Sequence, residues 1–276
     1  MTTLISWLGV DQRGPASIYL ASDSRISWGA ADQWNYGGKL FTAQSSPEAF
    51  GFCGDVLFPL LVLGPLCQRI DANKMLAACS NFHDKLERIR RSVEVSFKEY
   101  PASQKRPFQI FYISRTGEGM TCEFHAGRVF SDNPKIVSSE VMRFPSDPVL
   151  GPRSGLIGEA GSGSNSMKNW DYRWQKTDIQ NTSRSVFGAF CSSINSGDDP
   201  LSGGAPQLIA IYRSGLPKQL GVIWQGKKYF SGLELEDFSA GEELDWRNER
   251  FEICDPLTLV VKAGAQKQPV PRKLIT

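Results

Sequence analysis

The order of hydrophobic periodicities along the 276 residues predicts an α+β domain built as a four-layer αββα sandwich of two antiparallel sheets. Three observations carry this expectation. Alternating apolar positions, the mark of strands, dominate the N-terminal part; apolar steps of three and four, the mark of helices, follow; and the same order recurs further on before the chain closes on strands. Strands, two helices, strands, two helices and strands is the sequence expected when two sheets stack and helices cover both outer faces. A hydrophobic fraction of 41% is that of an ordinary globular core.

In chain order, residues 3–8 and 17–21 read as a hairpin, with Asp11-Gln12-Arg13-Gly14-Pro15 supplying the turn. Residues 34–41 form a further extended segment that carries Lys39, and residues 50–52 begin another before Cys53-Gly54-Asp55. Residues 56–67 are apolar and helical, with Asp55 able to cap them, Pro59 tolerated in the first turn and Pro65 bending or ending the helix. Met75, Cys79, Phe82, Leu86, Ile89, Val93 and Phe97 then recur on one face of a clearer helix. Its Lys85, Arg88, Arg90 and Arg91 read as a solvated or subunit-facing surface. Residues 108–114 are apolar on nearly both faces, which suits a buried strand; residues 120–125, 128–131 and 155–158 add more, and residues 145–152 form a loop. The run Gly161-Ser162-Gly163-Ser164-Asn165-Ser166 lies between a strand and a helix bearing Met167, Trp170 and Trp174, so Ser162 or Ser164 would cap that helix. It lacks the Gly-Lys-Ser/Thr of a phosphate-binding loop. A helix over residues 183–194, the run Asp199-Pro200-Leu201-Ser202-Gly203-Gly204, and strands at 207–212 and 220–225 complete the order.

Composition excludes several classes of function. With 31 basic and 29 acidic residues the formal charge is +2, which argues against nucleic acid as the main partner. No apolar run approaches the twenty or so residues that cross a bilayer, and the opening residues lack the basic start of a secretory signal. A cytoplasmic, membrane-free protein is the expectation. The six cysteines, Cys53, Cys67, Cys79, Cys122, Cys191 and Cys254, contain no C-x-x-C pair, so they read as reduced buried thiols and no metal site is expected. The two histidines, His83 and His125, read as structural.

The chemistry concentrates at the N-terminal stretch. Methionine aminopeptidases remove the initiator when a small residue follows, which would leave Thr2 with both a free amine and a β-hydroxyl, a nucleophile with its own base. An α-amine titrates at about 7.7 to 8.0 and a nearby ammonium lowers it further. Lys39 is the candidate ammonium, and Asp23, sixteen residues earlier, is the candidate to hold it. A retained Met1 would instead acylate the amine and remove the base.

Six words occur in one order: Thr2-Thr3, Ala21-Ser22-Asp23-Ser24-Arg25, Lys39, Gly51-Phe52-Cys53-Gly54-Asp55, Ile157 through Ser162-Gly163, and Asp199-Pro200-Leu201-Ser202-Gly203-Gly204. With these the chain resembles the proteasome β-subunit and HslV family of N-terminal-nucleophile (Ntn) hydrolases, more closely its divergent bacterial proteasome-like members than HslV itself. Asp199 follows Ser162 by thirty-seven residues and Ser202 follows Asp199 by three. The resemblance spans residues 2–231 and implies the Ntn-hydrolase sandwich and a threonine endopeptidase without a cofactor. It makes Thr2 the nucleophile, Lys39 the group that depresses the amine and stabilises the alkoxide, and Asp23 its partner. Ser162, Asp199 and Ser202 would hold the amine and its water, the Gly54 amide would donate to the oxyanion, and Phe52 would lie near the first specificity pocket. It also implies peptide or unfolded-protein substrates, a self-compartmentalised homo-oligomeric ring or spiral, and an ATPase unfoldase as a candidate partner. Two alternatives stand beside it: a catalytically silent proteasome-like scaffold, and a small-molecule Ntn amidase. The turn before Asp23 and the segment 157–162 look longer than the family pattern. Residues 1–235 are expected to form the proteasome-like domain, and residues 236–276, with Glu242-Glu243, Trp246 and Pro269-Val270-Pro271, a C-terminal extension lying across a neighbouring subunit or forming a disordered end.

Overall fold

A computed structural model describes residues 2–28, 32–133, 135–147, 151–236 and 244–266. Strands β1 (Leu4–Asp11), β2 (Gly14–Ser22), β3 (Ile26–Trp28), β4 (Asp32–Trp34), β5 (Leu40–Thr42) and β6 (Glu48–Gly54) precede helices α1 (Leu57–Asp71) and α2 (Phe82–Glu99). Then come β7 (Phe108–Thr116), β8 (Glu123–Ser131), β9 (Ser138–Val141), β10 (Ser146–Asp147), β11 (Gly151–Pro152), β12 (Gly155–Ala160), α3 (Ser164–Trp174) and α4 (Ser183–Ser196). The chain closes on β13 (Gln207–Tyr212), β14 (Lys218–Trp224), β15 (Lys227–Phe230), β16 (Leu233–Glu234), β17 (Trp246–Asn248) and β18 (Ile253–Cys254).

Two sheets hold the molecule. The first runs β12-β1-β2-β13-β14-β15-β16, with β17 parallel to β14 and antiparallel to β18; the second runs β5-β6-β7-β8-β9, all antiparallel. Because successive side chains alternate between faces, each central strand feeds two cores. From β1 and β2, Leu4, Leu8, Ile18 and Leu20 meet Ala49, Phe111, Ile113 and Ala126 of the second sheet. Their neighbours Ile5, Trp7, Tyr19 and Ala21 face α3 and α4. From β6 and β7, Phe50, Phe52, Phe108, Ile110 and Tyr112 pack under α1 and α2 instead. Helices, sheet, sheet and helices therefore form the expected αββα sandwich, and strands buried on both faces explain the near-continuous apolar runs.

Local departures from the sequence expectation have identifiable causes. The first hairpin needs only Gln12 and Arg13 between strands, because Gly14 at φ +105 and a register shift at Gly9/Val10 let the strands run to the tip. The five-residue turn is absorbed into β1 and β2. Lys39 sits just before β5 rather than within a strand, and residues 26–34 instead form the separate β3–β4 hairpin. Pro65 does not end α1, which continues to Asp71. Asp55 accepts a hydrogen bond from the Phe58 amide (3.1 Å), as a capping residue would. The second helix begins at Phe82, where Asn81 accepts from Asp84 N (2.9 Å), so Met75 and Cys79 share its apolar periodicity without lying on it. Residues 123–131 form one strand rather than two pieces.

The segment expected as an extension is partly built into the first sheet. Trp246, fully buried, packs with Ile223 and Cys254. Phe251 closes on Tyr19 (5.3 Å), Phe187 (5.4 Å) and Trp7 (5.9 Å). Residues 244–266 thus lie against their own chain. Glu242, Glu243 and the Pro269-Val270-Pro271 run fall outside the described residues. No helix among the described residues is long and apolar enough to cross a membrane.

Candidate active site

Antiparallel pairing of β1 with β2 and β12 sets Leu4 opposite both Ser22 and Ala160. The residues just outside those pairs, Thr2, Thr3, Asp23, Gly161 and Ser162, therefore meet at one sheet end. Lys39 enters from the segment just before β5. Its ammonium donates to Thr2 Oγ1 (2.8 Å), Asp23 Oδ1 (2.8 Å) and the Arg25 carbonyl (2.6 Å). Three acceptors satisfy the three donors of a lysine, with no exposure of either the Lys39 or the Asp23 side chain. Burial pushes the Lys39 pKa below its ordinary value, and the Asp23 carboxylate opposes that fall. Asp23 is fixed in turn by the amides of Thr3 (3.1 Å), Gly203 (2.9 Å) and Arg25 (3.2 Å).

On the other side of Thr2, its backbone N–H donates to Ser162 Oγ (3.2 Å). Ser162 Oγ donates to Asp199 Oδ2 (2.7 Å), which also accepts from Ser202 Oγ (2.6 Å). The Thr3 hydroxyl donates to Ser202 Oγ (2.8 Å) and closes the circuit. Thr2, Asp23, Lys39, Ser162, Asp199 and Ser202 thus form one hydrogen-bonded network. Ser162 is not a helix cap: Gly163 occupies that position, with no side-chain cap bond.

The remaining two positions diverge. Gly54 ends β6 at φ +88, where a Cβ would lie 2.6 Å from the Pro107 carbonyl oxygen, so the chain turns there only as glycine. It edges a cavity of about 680 Å³ walled by Ile26, Trp28, Trp34, Leu57 and Leu60. Phe52 is not among the residues that line that cavity. Alternation along β6 turns its side chain into the helix-side core beside Phe41. Cys53, on the opposite face of β6, is buried, and burial pushes its thiol up to about 12. It is protonated at neutral pH and does not compete as a nucleophile.

Sequence reasoning missed the groups that hold these side chains. Gln207, buried at the start of β13, accepts from Lys39 N (3.0 Å) and donates to the carbonyls of Gly37 (2.7 Å) and Asp23 (3.1 Å). No motif marks it. Gly161 and Gly163 admit the N-terminal strand: a Cβ would lie 1.9 Å from Thr2 O at the first and 1.8 Å from Thr3 Oγ1 at the second. The Gly-x-Gly spacing was the available signal, since glycines recur where backbones approach closely. His125 stacks on Phe82 in the helix-side core, with ring centroids 4.9 Å apart.

No family model matches the chain, and no curated protein matches it either. Among solved structures it is similar to a eukaryotic HslV from Trypanosoma brucei, at 13% sequence identity, covering 76% of this chain and 99% of that chain with a TM-score of 0.46.

Proposed function

We propose that this chain is a threonine-type endopeptidase whose nucleophile is Thr2, exposed by removal of Met1. The observation that carries the reading is the Lys39 ammonium held 2.8 Å from both Thr2 Oγ1 and Asp23 Oδ1, while Ser162 meets the Thr2 nitrogen at 3.2 Å. A buried cation against a hydroxyl oxygen favours the alkoxide. With Met1 gone, the Thr2 amine takes the hydroxyl proton directly or through a water held by Ser162, Asp199 and Ser202. Oγ1 attacks the substrate carbonyl carbon, and the resulting oxyanion is placed against the Gly54 amide. The amine returns the proton to the departing amine as the C–N bond breaks, leaving an ester on Thr2. Water, deprotonated by the same amine, then cleaves that ester.

The apolar cavity beside Gly54 favours substrates with an apolar side chain near the scissile carbonyl, since burial gives roughly 0.8 kcal/mol per methylene. Enclosure in a homo-oligomer fed by an ATPase unfoldase belongs to the same reading and is checked by sedimentation and by unfoldase-dependent degradation of a folded substrate.

Intact mass after incubation with a peptide epoxyketone tests the core of the proposal, because that warhead needs both the hydroxyl and the free amine of an N-terminal threonine. The expected result is loss of Met1 with one covalent adduct, absent in Thr2→Ala. A mass that keeps Met1 and gains nothing overturns it.

A further inference from the structure

The β3–β4 hairpin has two unlike faces. Ile26 pairs directly with Trp34, and Trp28 lies two residues further along β3, so alternation puts all three side chains on one face. Ser27 and Gln33 pair on the other. The first face forms one wall of the cavity of about 680 Å³ beside Gly54, which Leu57 and Leu60 of the first turn of α1 also line. Trp28 is 62% exposed and Trp34 46% exposed. Two indoles therefore stand in water beside the proposed oxyanion position, although aromatic side chains bury about 150 to 250 Å² each and dominate the energetics of contact surfaces. A volume of about 150 Å³ already holds benzene, so the cavity accepts a phenyl or indole ring. Asp55 and Arg106 bring one charge of each sign to its lining. It thus favours neither a cation nor an anion, and it lacks the run of cations with which a protein tracks a nucleic-acid strand.

The second face is tied to the turn that carries Asp199 and Ser202. Gln33 Nε2 donates to the Pro200 carbonyl (3.0 Å), which also accepts from Arg25 Nη1 (3.0 Å), and Ser27 Oγ donates to the Leu201 carbonyl (3.4 Å). Arg25 Nε donates to Asn35 Oδ1 (2.9 Å), just past β4. A Cβ on Gly203 would lie 2.4 Å from the Arg25 guanidinium carbon, so Arg25 packs directly on the turn. Within the turn, Asp199 Oδ2 accepts from Ser162 and Ser202, and the Thr2 nitrogen donates to Ser162. One two-stranded element therefore joins a wall of the cavity to the turn that holds the Thr2 nitrogen.

We propose that Trp28 and Trp34 determine specificity for an aromatic side chain on the residue whose carbonyl is cleaved, and that Gln33 is a positioning residue that carries occupancy of their face to the Asp199 turn. This specificity rests on Thr2 being the nucleophile. A ring stacked on the indoles braces the hairpin, Gln33 holds the Pro200 carbonyl with it, and the Asp199–Ser162 pair stays aligned on the Thr2 nitrogen. A small side chain leaves the hairpin without that support. Aromatic substrates gain in the chemical step as well as in binding.

Three peptide epoxyketones that differ only in phenylalanine, leucine or alanine beside the warhead separate binding (KI) from reaction (kinact), with the Thr2 adduct followed by intact mass. The phenylalanine reagent is expected to exceed the leucine reagent in kinact/KI by about 3- to 10-fold, and the alanine reagent by at least about tenfold. Trp28→Ala/Trp34→Ala should erase the difference between phenylalanine and leucine. Both side chains are exposed, and an unchanged urea midpoint checks that the fold is kept. Gln33→Ala should leave the aromatic preference in KI and remove it from kinact. Gln33→Lys, which again offers a donor to the Pro200 carbonyl, should restore it, whereas a merely structural hairpin would slow all three reagents alike. Equal reaction of phenylalanine and leucine, an aromatic preference that survives the tryptophan variant, or an unchanged kinact in Gln33→Ala overturns the proposal while leaving Thr2 as the nucleophile. No adduct with any reagent overturns the nucleophile itself, and the proposed specificity falls with it.

Discussion

Lys39 is buried, charged against Asp23 and in contact with Thr2 Oγ1. The pH dependence of kcat/KM should therefore be bell-shaped. Activity rises as the Thr2 amine loses its proton, at a pH below the ordinary 7.7 to 8.0 because the ammonium beside it disfavours a second positive charge. It falls again as Lys39 deprotonates, and burial brings that limb below the ordinary lysine value. Lys39→Ala should move the acidic limb upward and lower kcat by about 100-fold or more, the scale of losing one preorganised electrostatic partner; an unmoved limb would detach Lys39 from the amine. Gln207 tests how Lys39 is placed. Gln207→Ala leaves buried backbone groups of Gly37, Asp23 and Lys39 without the bonds it makes, each worth about 1 to 3 kcal/mol. The urea midpoint should fall, and kcat should drop about 10- to 100-fold with KM nearly unchanged, because Gln207 touches Lys39 rather than substrate. Thr2, Asp23 and Lys39 were legible in the sequence because a hydroxyl amino acid at the start, an acid and a lysine have chemistry that names them. Gln207 was not, since an amide that bonds only to backbone looks like any other polar residue.

Among the elements, α2 shows how local rules operate on the surface. Asn81 caps it through Asp84 N (2.9 Å), and Asn81→Ala should cost about 1 kcal/mol in a denaturant titration. Arg90 and Arg91 hold the Glu87 carboxyl down to about 2, well below the ordinary carboxylate range. A depressed carboxylate stabilises the fold above its unfolded pKa and loses that contribution as pH falls through the folded one. Glu87→Gln should accordingly flatten the loss of stability between about pH 4.5 and 2. The effect stays below about 1 kcal/mol, because the network is solvent-screened and 72% of the Arg91 side chain is exposed. Urea midpoints at both pH values in high and low salt measure it. The periodicity that announced α2 also admitted Met75 and Cys79, which share its apolar face through the packed turn before Asn81. Apolar spacing reports which side chains meet a core, while the capping bond decides where the helix begins.

At the scale of the molecule, the described tail is part of the first sheet. Trp246 is fully buried and β17 adds to β14. Trp246→Ala should cost about 3 to 5 kcal/mol by thermal or urea unfolding; a loss below 1 kcal/mol would mark the segment as a dispensable appendage. The layered architecture was readable because period-2 and period-3.6 patterns are imposed by burial and survive in any sequence that folds this way. The sequence by itself determined the αββα order, the two-faced burial of the central strands and the residue types able to supply a nucleophile, a cation and an acid. The tertiary structure decided the rest. Strand pairing across β12, β1 and β2 brought Ser162 to the Thr2 nitrogen from 160 residues away. The close approach at Gly161 and Gly163 let Thr2 and Thr3 enter, alternation sent Phe52 into the core, and Trp246 drew the tail back onto its own sheet. Those outcomes depend on contacts between segments far apart in sequence, and local periodicity carries no information about which distant segment will fill the other half of a contact.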